Sequence, residues 1–361
     1  MNKLYMAGLQ MTPGIGTARL HQLLRFFGSA EQVWRADLKD LCLSRCLDEQ
    51  TCHIFLEHRE KLDIEQLAEA WERASIKLCS LEEPEYPALL TCSFRPPQVL
   101  FYRGTLPEHD KLIGIVGARR ASVYGKNAAE RLAHDVAAAG FWVISGAARG
   151  IDTAAHRGAL AAGKTVAVLG CGVDVVYPPE NAALLDEIAR AGCVISEYAP
   201  GTQPHAAFFP ARNRIISGMS RGVVVVEAAE KSGALITADF ALEEGRDVFA
   251  VPGSIFSAAS QGAHRLIKQG AKLVERAADI LEEYGQTDGQ RKPDMPDLTA
   301  AEQAVYDSLT YDTLLTVEEI VIKTGMLPST AAYIVLQLEL RGLVAEHAGQ
   351  RYARAAKEGI R

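Results

Sequence analysis

Leu112–Gly170 reads LIGIVGARRASVYGKNAAERLAHDVAAAGFWVISGAARGIDTAAHRGALAAGKTVAVLG. Three short runs of Val, Ile and Leu are separated by two alanine-rich stretches of helical length. Continuous apolar strands alternating with helices require a parallel sheet covered on both faces. The pattern continues downstream, with strands predicted at Leu112–Val116, Trp142–Ile144, Thr165–Leu169, Val194–Ser196, Val223–Val226 and Val248–Val251. Between them, Lys126–Ala139, Asp152–Ala162, Ala182–Ala191 and Ala234–Glu244 read as helices. Gly140, Gly163, Gly192, Gly222 and Gly245 stand where helices end and strands begin. The fold class is therefore α/β: a Rossmann-like, doubly wound, mostly parallel sheet.

On either side the pattern changes. Residues 1–105 read as mostly helical, ending in a proline-rich extended connection and a strand at Val99–Tyr102, and MTPGIGTARLHQLLRFF places a glycine hairpin before a helix. This element resembles the helix-hairpin-helix of SAM-like domains. Its hairpin N–H groups suit a phosphate, or it is a turn between two core helices; Arg19 and Arg25 are the only bases nearby. The α/β unit is expected over 106–284, and the polar, Pro/Gly/Asp-rich stretch 285–297 reads as a linker. Residues 298–361 read as helix, turn, helix and two short strands, resembling a winged helix. The would-be recognition helix, Ser329–Arg341, has Arg341 as its single base, so protein contact is favoured over groove reading.

Composition restricts the function. The 361 residues carry a net charge of −7, so a polyanion would need a local groove and not a basic surface. Such a groove is available: residues 111–166 hold eight Lys or Arg against three Asp or Glu. No apolar run reaches the roughly 18 residues of a membrane span, and the start lacks a signal-peptide core, so a cytoplasmic location is the expectation. Seven cysteines without a CxxC pair read as reduced thiols; Cys42, Cys46, Cys52, His53 and His58 lack the spacing of a zinc site. No cofactor or metal is expected.

In an open parallel sheet, the loops after the strands' carboxyl ends share one edge, where ligands bind. Here those loops collect Arg119 and Arg120 in the first, and Ser145, Arg149 and Asp152 in the second. Tyr177 and Asn181 lie in the third, and His205, Phe209, Arg212 and Arg214 in the fourth, within FFPARNRIISGMS (208–220). Lys231 and Ser232 occupy the fifth. Guanidiniums beside rings suit a charged polymer with exposed bases. Phe209 is the candidate for stacking and Phe208 for the core, while Arg212 and Arg214 are divided between phosphate contact and holding the loop. Gly158–Thr165, GALAAGKT, matches a P-loop by letter but runs helix to strand, the reverse of the order a phosphate loop needs. GIVGARR is not GxGxxG, and no acidic residue ends the second strand, which argues against NAD. Asp152, Asp174, Glu197 and Glu227 read as helix caps or ion-pair partners, and His156 as a satisfied structural group.

Together IVGARRASVYG, ISGAARGIDTAAHRGAL, AVLGCGVDVVYPPEN, ISEYAPGTQP, FFPARNRIISGMS, VVVVEAAEKSGALITADFALEEGRDVFAVPG and QGAHRLIKQGAKLV resemble the DNA-processing protein A (DprA/Smf) family. The resemblance implies a non-enzymatic protein that binds single-stranded DNA, protects it during natural transformation and loads the RecA recombinase as a homodimer. The DNA-binding positions it implies are Gly117, Arg119, Ser145, Arg149, Phe209, Arg212, Asn213, Arg214 and Lys231. It further implies a dimer and recombinase surface at His264, Leu266, Ile267 and Leu273. Where family members often carry a lysine before the FP of the fourth loop, this chain has His205-Ala206-Ala207. The competing reading is a Rossmann-like nucleotide hydrolase, whose PGGxGT loop is absent; Pro252–Ser254 is the nearest echo.

Overall fold

The computed structural model describes residues 2–286 and 298–355. Nine strands form the main sheet: β1 (Lys77–Ser80), β2 (Val99–Gly104), β3 (Leu112–Val116), β4 (Trp142–Ser145), β5 (Thr165–Leu169), β6 (Cys193–Ser196), β7 (Gly222–Val225), β8 (Asp247–Ala250) and β9 (Lys272–Leu273). Their spatial order is β1-β2-β6-β5-β4-β3-β7-β8-β9. From a central β3 the chain steps outward through β4, β5 and β6, then returns to the other side for β7, β8 and β9. All seven of these strands are parallel, as the Val/Ile runs predict.

The sheet is larger than the sequence suggests. β1 and β2 come from the segment assigned to the helical N-terminal unit, and they extend the β6 edge in antiparallel fashion. The α/β unit therefore begins near residue 77, not 106. Six helices precede it, from Asn2–Gln10 to Ile64–Arg73. Asp37, Asp48 and Asp63 cap three of them, each carboxylate accepting a backbone N–H from the first turn. Their core of Met6, Leu9, Leu20, Leu23, Trp34 and Phe55 runs without a break into Val99, Phe101 and Val194 of the sheet.

The glycine hairpin at Met11–Gly16 is structural. Arg19 donates to Gly14 O at 3.0 Å and pairs with Asp48 at 3.0 Å, so its guanidinium is committed. Just past the hairpin, Thr17 Oγ1 donates to Glu197 Oε1 at 2.6 Å, and Gln10 Nε2 donates to Glu197 O. Glu197 follows β6 and also receives Arg214 Nη2 at 2.5 Å; Arg214 Nη1 donates to Arg95 O at 2.6 Å. One nearly buried carboxylate thus joins the N-terminal helices to the fourth loop of the sheet.

The P-loop look-alike behaves as its order requires. The helix Ile151–Ala162 ends at Gly163 and β5 starts at Thr165. Gly158 sits where a Cβ would lie 2.0 Å from Glu130 O, so glycine here permits close packing on the helix Val123–Ala138. His156 is fully buried, its Nδ1 at 2.8 Å from Thr165 Oγ1. That hydroxyl donates to Val143 O, so Nδ1 carries the proton and the bare Nε2 is left without a partner. Burial, with the Arg212 charge nearby, pushes the imidazole down to about 3.

The expected linker at 285–297 lies outside the described residues beyond position 286. Past it, helices Ala300–Ser308, Val317–Thr324 and Pro328–Leu340 pack with β10 (Leu315–Thr316), β11 (Val344–His347) and β12 (Arg351–Arg354) as a winged helix. It touches the α/β unit where Asn127 Nδ2 donates to Tyr311 O at 2.9 Å. Among the described residues no single helix is long and apolar enough to cross a membrane.

Two stability predictions follow from these contacts. Glu197→Ala removes the carboxylate partner of the part-buried Arg214 and the Thr17 hydrogen bond, and should cost about 1–3 kcal/mol and lower the urea midpoint; an unchanged midpoint contradicts the clamp. For His156, the unfolded imidazole takes up a proton below its ordinary value of 6.5 while the folded one stays neutral down to about 3. Stability is full above 6.5 and falls through that window by about 1.4 kcal/mol per pH unit. His156→Gln should remove that slope relative to the parent, measured by urea unfolding between pH 6.5 and 5.

Candidate nucleic-acid interface

The carboxyl ends of β5, β4, β3 and β7 carry the third, second, first and fifth loops, with the fourth arching back from β6. A cleft opens among the first four of these loops, lined by Arg119, Gly146, Arg149, Tyr177, Phe209 and Arg212. Sequence placed most of these residues on one edge. Their orientation is what the structure adds.

The FFPARNR segment is helical, not loop: Phe208–Met219 is one helix, with Pro210 in its first turn, where its missing N–H costs nothing. The helix sets Phe208 and Phe209 on adjacent faces. Phe209 is half-buried against Tyr177, with ring centroids 5.2 Å apart, and the Arg119 guanidinium lies 5.1 Å from its centroid. Phe208, expected in the core, is instead half-buried and stacks at 4.2 Å on Tyr198, beside the exposed His205. Tyr198 was passed over in the sequence, although its place two residues past β6 puts it on the same edge. Two aromatic pairs therefore flank the cleft.

Arg119 is exposed and has no carboxylate partner among the described residues. It is a guanidinium held by a ring face and otherwise open to solvent, the state of a cation waiting for an anion. Lys231, exposed after β7, is likewise unpaired among the described residues. Arg149 is half exposed and held by both carboxylate oxygens of Glu180, a pair that screens it and keeps the side chain along the rim.

The structure corrects several other assignments. Arg212 is 3% exposed; its Nη1 donates to Val168 O, and its Nε has no partner. Burial pushes it down to about 10, with Asp152 as the opposing charge, so it remains a cation beneath the cleft floor. A Cβ at Gly146 would come within 2.5 Å of its guanidinium, so only glycine lets the second loop cross there. Arg214 is committed to Glu197 and Arg95 O, and Asn213 donates its Nδ2 to Gly233 O at 3.2 Å, tying two helices together. Ser145 is fully buried, its hydroxyl donating to Ile115 O at 2.6 Å. Gly117 serves packing: a Cβ would meet Ile151 at 2.6 Å and Glu227 O at 2.9 Å. Of the nine sequence candidates, Arg119, Arg149, Phe209 and Lys231 present side chains outward, and the others build the floor and walls.

Asp152, Asp174, Glu180, Glu197 and Glu227 on this edge are all engaged. Asp152 accepts from Gly146 N at 3.2 Å and Ala148 N at 3.3 Å, and burial raises its pKa. Glu227 accepts from both Ser122 N and Ser122 Oγ, at 2.9 and 2.6 Å.

The proposed partner surface is divided. Leu266 is 2% exposed and belongs to the sheet core, and His264 Nε2 is bonded to the Gly253 backbone. Ile267 is half-buried, and Leu273 is 43% exposed on the short edge strand β9. Only the last two remain available to a partner.

Comparison with known proteins agrees with this architecture. Residues 77–285 match the family model described as DNA recombination-mediator protein A, and 289–350 match the DprA winged helix domain. The chain is 42% identical over 254 residues to the DNA processing protein DprA of Streptococcus pneumoniae, covering 68% of this chain and 88% of that one. Protein Smf of Synechocystis is 32% identical across 97% of this chain and 98% of its own. Among solved structures, S. pneumoniae DprA superposes with a TM-score of 0.68 at 38% identity, over 78% of this chain and 97% of that one. Helicobacter pylori DprA, reported for its single-stranded DNA binding mode, gives 0.53 at 28% identity over 58% and 95%. The family match begins at β1, the point where the sheet itself begins, and the winged-helix match runs to residue 350, just before β12. The chain belongs to the DNA recombination-mediator protein A (DprA/Smf) family.

Proposed function

We propose that the carboxyl edge of the sheet binds single-stranded DNA, and that the protein is a recombination mediator and not an enzyme. The observation that carries this reading is the Arg119–Phe209 pair: an exposed, acid-free guanidinium lying on a half-exposed ring. An unpaired base can add to that stack while the guanidinium neutralises the neighbouring phosphate, and neither contact depends on sequence. Duplex DNA hides its base faces and cannot use the ring. The nearly buried Arg212 charge at the floor adds positive potential.

A hydrolase reading finds no support in the chemistry of the edge. Asp152, Glu180, Glu197 and Glu227 each hold a structural hydrogen bond or ion pair, and His156 is sealed from the cleft. For the finer role, handing the DNA to the RecA recombinase as a homodimer during natural transformation, support comes from family membership and from the open β9 edge. A two-residue edge strand with Ile267 and Leu273 beside it offers unpaired backbone and apolar surface to a second copy.

Salt-titrated binding of single- and double-stranded oligonucleotides tests the central claim. Arg119→Ala should weaken single-strand binding by about tenfold or more and reduce the slope of log affinity against log salt by about 0.7. Its unfolding midpoint should stay that of the parent, because the side chain is exposed. Equal affinity of parent and variant, or equal affinity for duplex and single strand, overturns the assignment.

A further inference from the structure

The loop after β8 places two large apolar side chains in water at the same sheet edge. Ile255 is 78% and Phe256 94% exposed, the latter the most exposed large apolar side chain among the described residues. Single exposed apolar residues are ordinary. A consecutive pair at the tip of a well-anchored turn is less so, because a floppy loop would fold them inward and gain about 1.5–3 kcal/mol for each buried side chain.

This turn is anchored at several points. Tyr124 Oη donates to Pro252 O at 2.7 Å, fixing the loop to the helix that follows Arg119 and Arg120. His264 holds Gly253, Ser257 N donates to Ser254 O at 3.0 Å, and Phe256 N donates to Ser254 Oγ at 3.3 Å. The backbone is pinned from both sides while the two side chains project.

The placement is equally specific. In the sheet order, β8 lies two strands from β3, with β7 between them. At about 4.8 Å per strand, the Phe256 turn stands about 10 Å along the edge from the Arg119 loop. Lys231, beside Glu230, projects from the β7 loop between the two. Along the edge the sequence of features is ring pair, arginine, lysine, ring. That alternation of stacking surface and cation matches the alternation of base and phosphate in an extended single strand.

We infer that Phe256, with Ile255 beside it, is a second base-stacking platform for single-stranded DNA, receiving the strand after it leaves the Arg119–Phe209 cleft and passes Lys231. The inference rests on the single-strand reading of the cleft. A short oligonucleotide fills the cleft alone, and a longer one reaches the second platform.

Binding of oligothymidylates from about 4 to about 16 nucleotides to the full chain and to Phe256→Ala tests this, alongside Arg119→Ala. The expected result is a loss of about fivefold or more for long oligonucleotides, with the shortest ones bound as by the parent. Phe256→Trp should bind long oligonucleotides as the parent does, with its exposed indole fluorescence quenched on binding. Affinity unchanged by Phe256→Ala at every length overturns the second platform, while a loss in Arg119→Ala keeps the cleft reading intact. If the parent binds no oligonucleotide, the cleft reading fails and this one with it. A change in sedimentation without a change in DNA affinity assigns the turn to a protein interface and also overturns the proposal.

Discussion

The arrangement of the edge depends on a cation set almost wholly inside the protein, at the floor of the cleft. Arg212 lies beneath the second loop, bonded to Val168 O, with Asp152 as its counter-charge. Asp152 in turn gathers the N–H groups of Gly146 and Ala148. A buried charge without such partners would cost several kcal/mol. The helix Phe208–Met219 is therefore held to the sheet at one position, and that position sets where Phe209 emerges. From Phe209 follows the seat of Arg119, and from that the shape of the cleft. Gly146 is the price of this arrangement, since any side chain there would strike the guanidinium.

The arginines of one short segment have separate duties. Arg212 is internal and electrostatic. Arg214 is a clamp, joining the same helix through Glu197 to Thr17 of the N-terminal unit. The exposed work is left to Arg119 from a different loop. The binding helix is thus fastened at two points, one to its own sheet and one to a separate helical layer. This explains why the N-terminal helices share a continuous core with the sheet instead of being tethered to it.

Much of this was legible in the residues. Val/Ile runs give the parallel strands, helix-ending glycines mark the turns, and loop contents collect Arg119, Arg149 and Lys231 on one edge. Two things were not. The edge strand β1 lacks the continuous apolar run of a buried strand, and for Val99–Tyr102, which does read as a strand, the prolines before it mask its pairing with β1 and β6. The burial of Arg212 was missed because the segment was read as a loop. Once it is helical, Arg212, Ile215, Ile216 and Met219 fall at spacings of three, four and seven on one face, and that face is the core. Pro210 so close to the start was the available sign. For Ser145 and Leu266, membership of a buried strand or the inward side of an amphipathic helix decided against exposure.

The carboxylate of Asp152 takes up the free N–H groups of Gly146 and Ala148 in the turn after β4. With those donors satisfied from within, this turn offers a phosphate no pair of free backbone N–H groups. What remains are modest contacts spread over several loops, each weak by itself. A monomer can engage one of them at a time, whereas a chain engages several and gains from their linkage. On the proposed reading, that linkage is what lets the edge ignore a concentrated pool of nucleotides and respond to polymer.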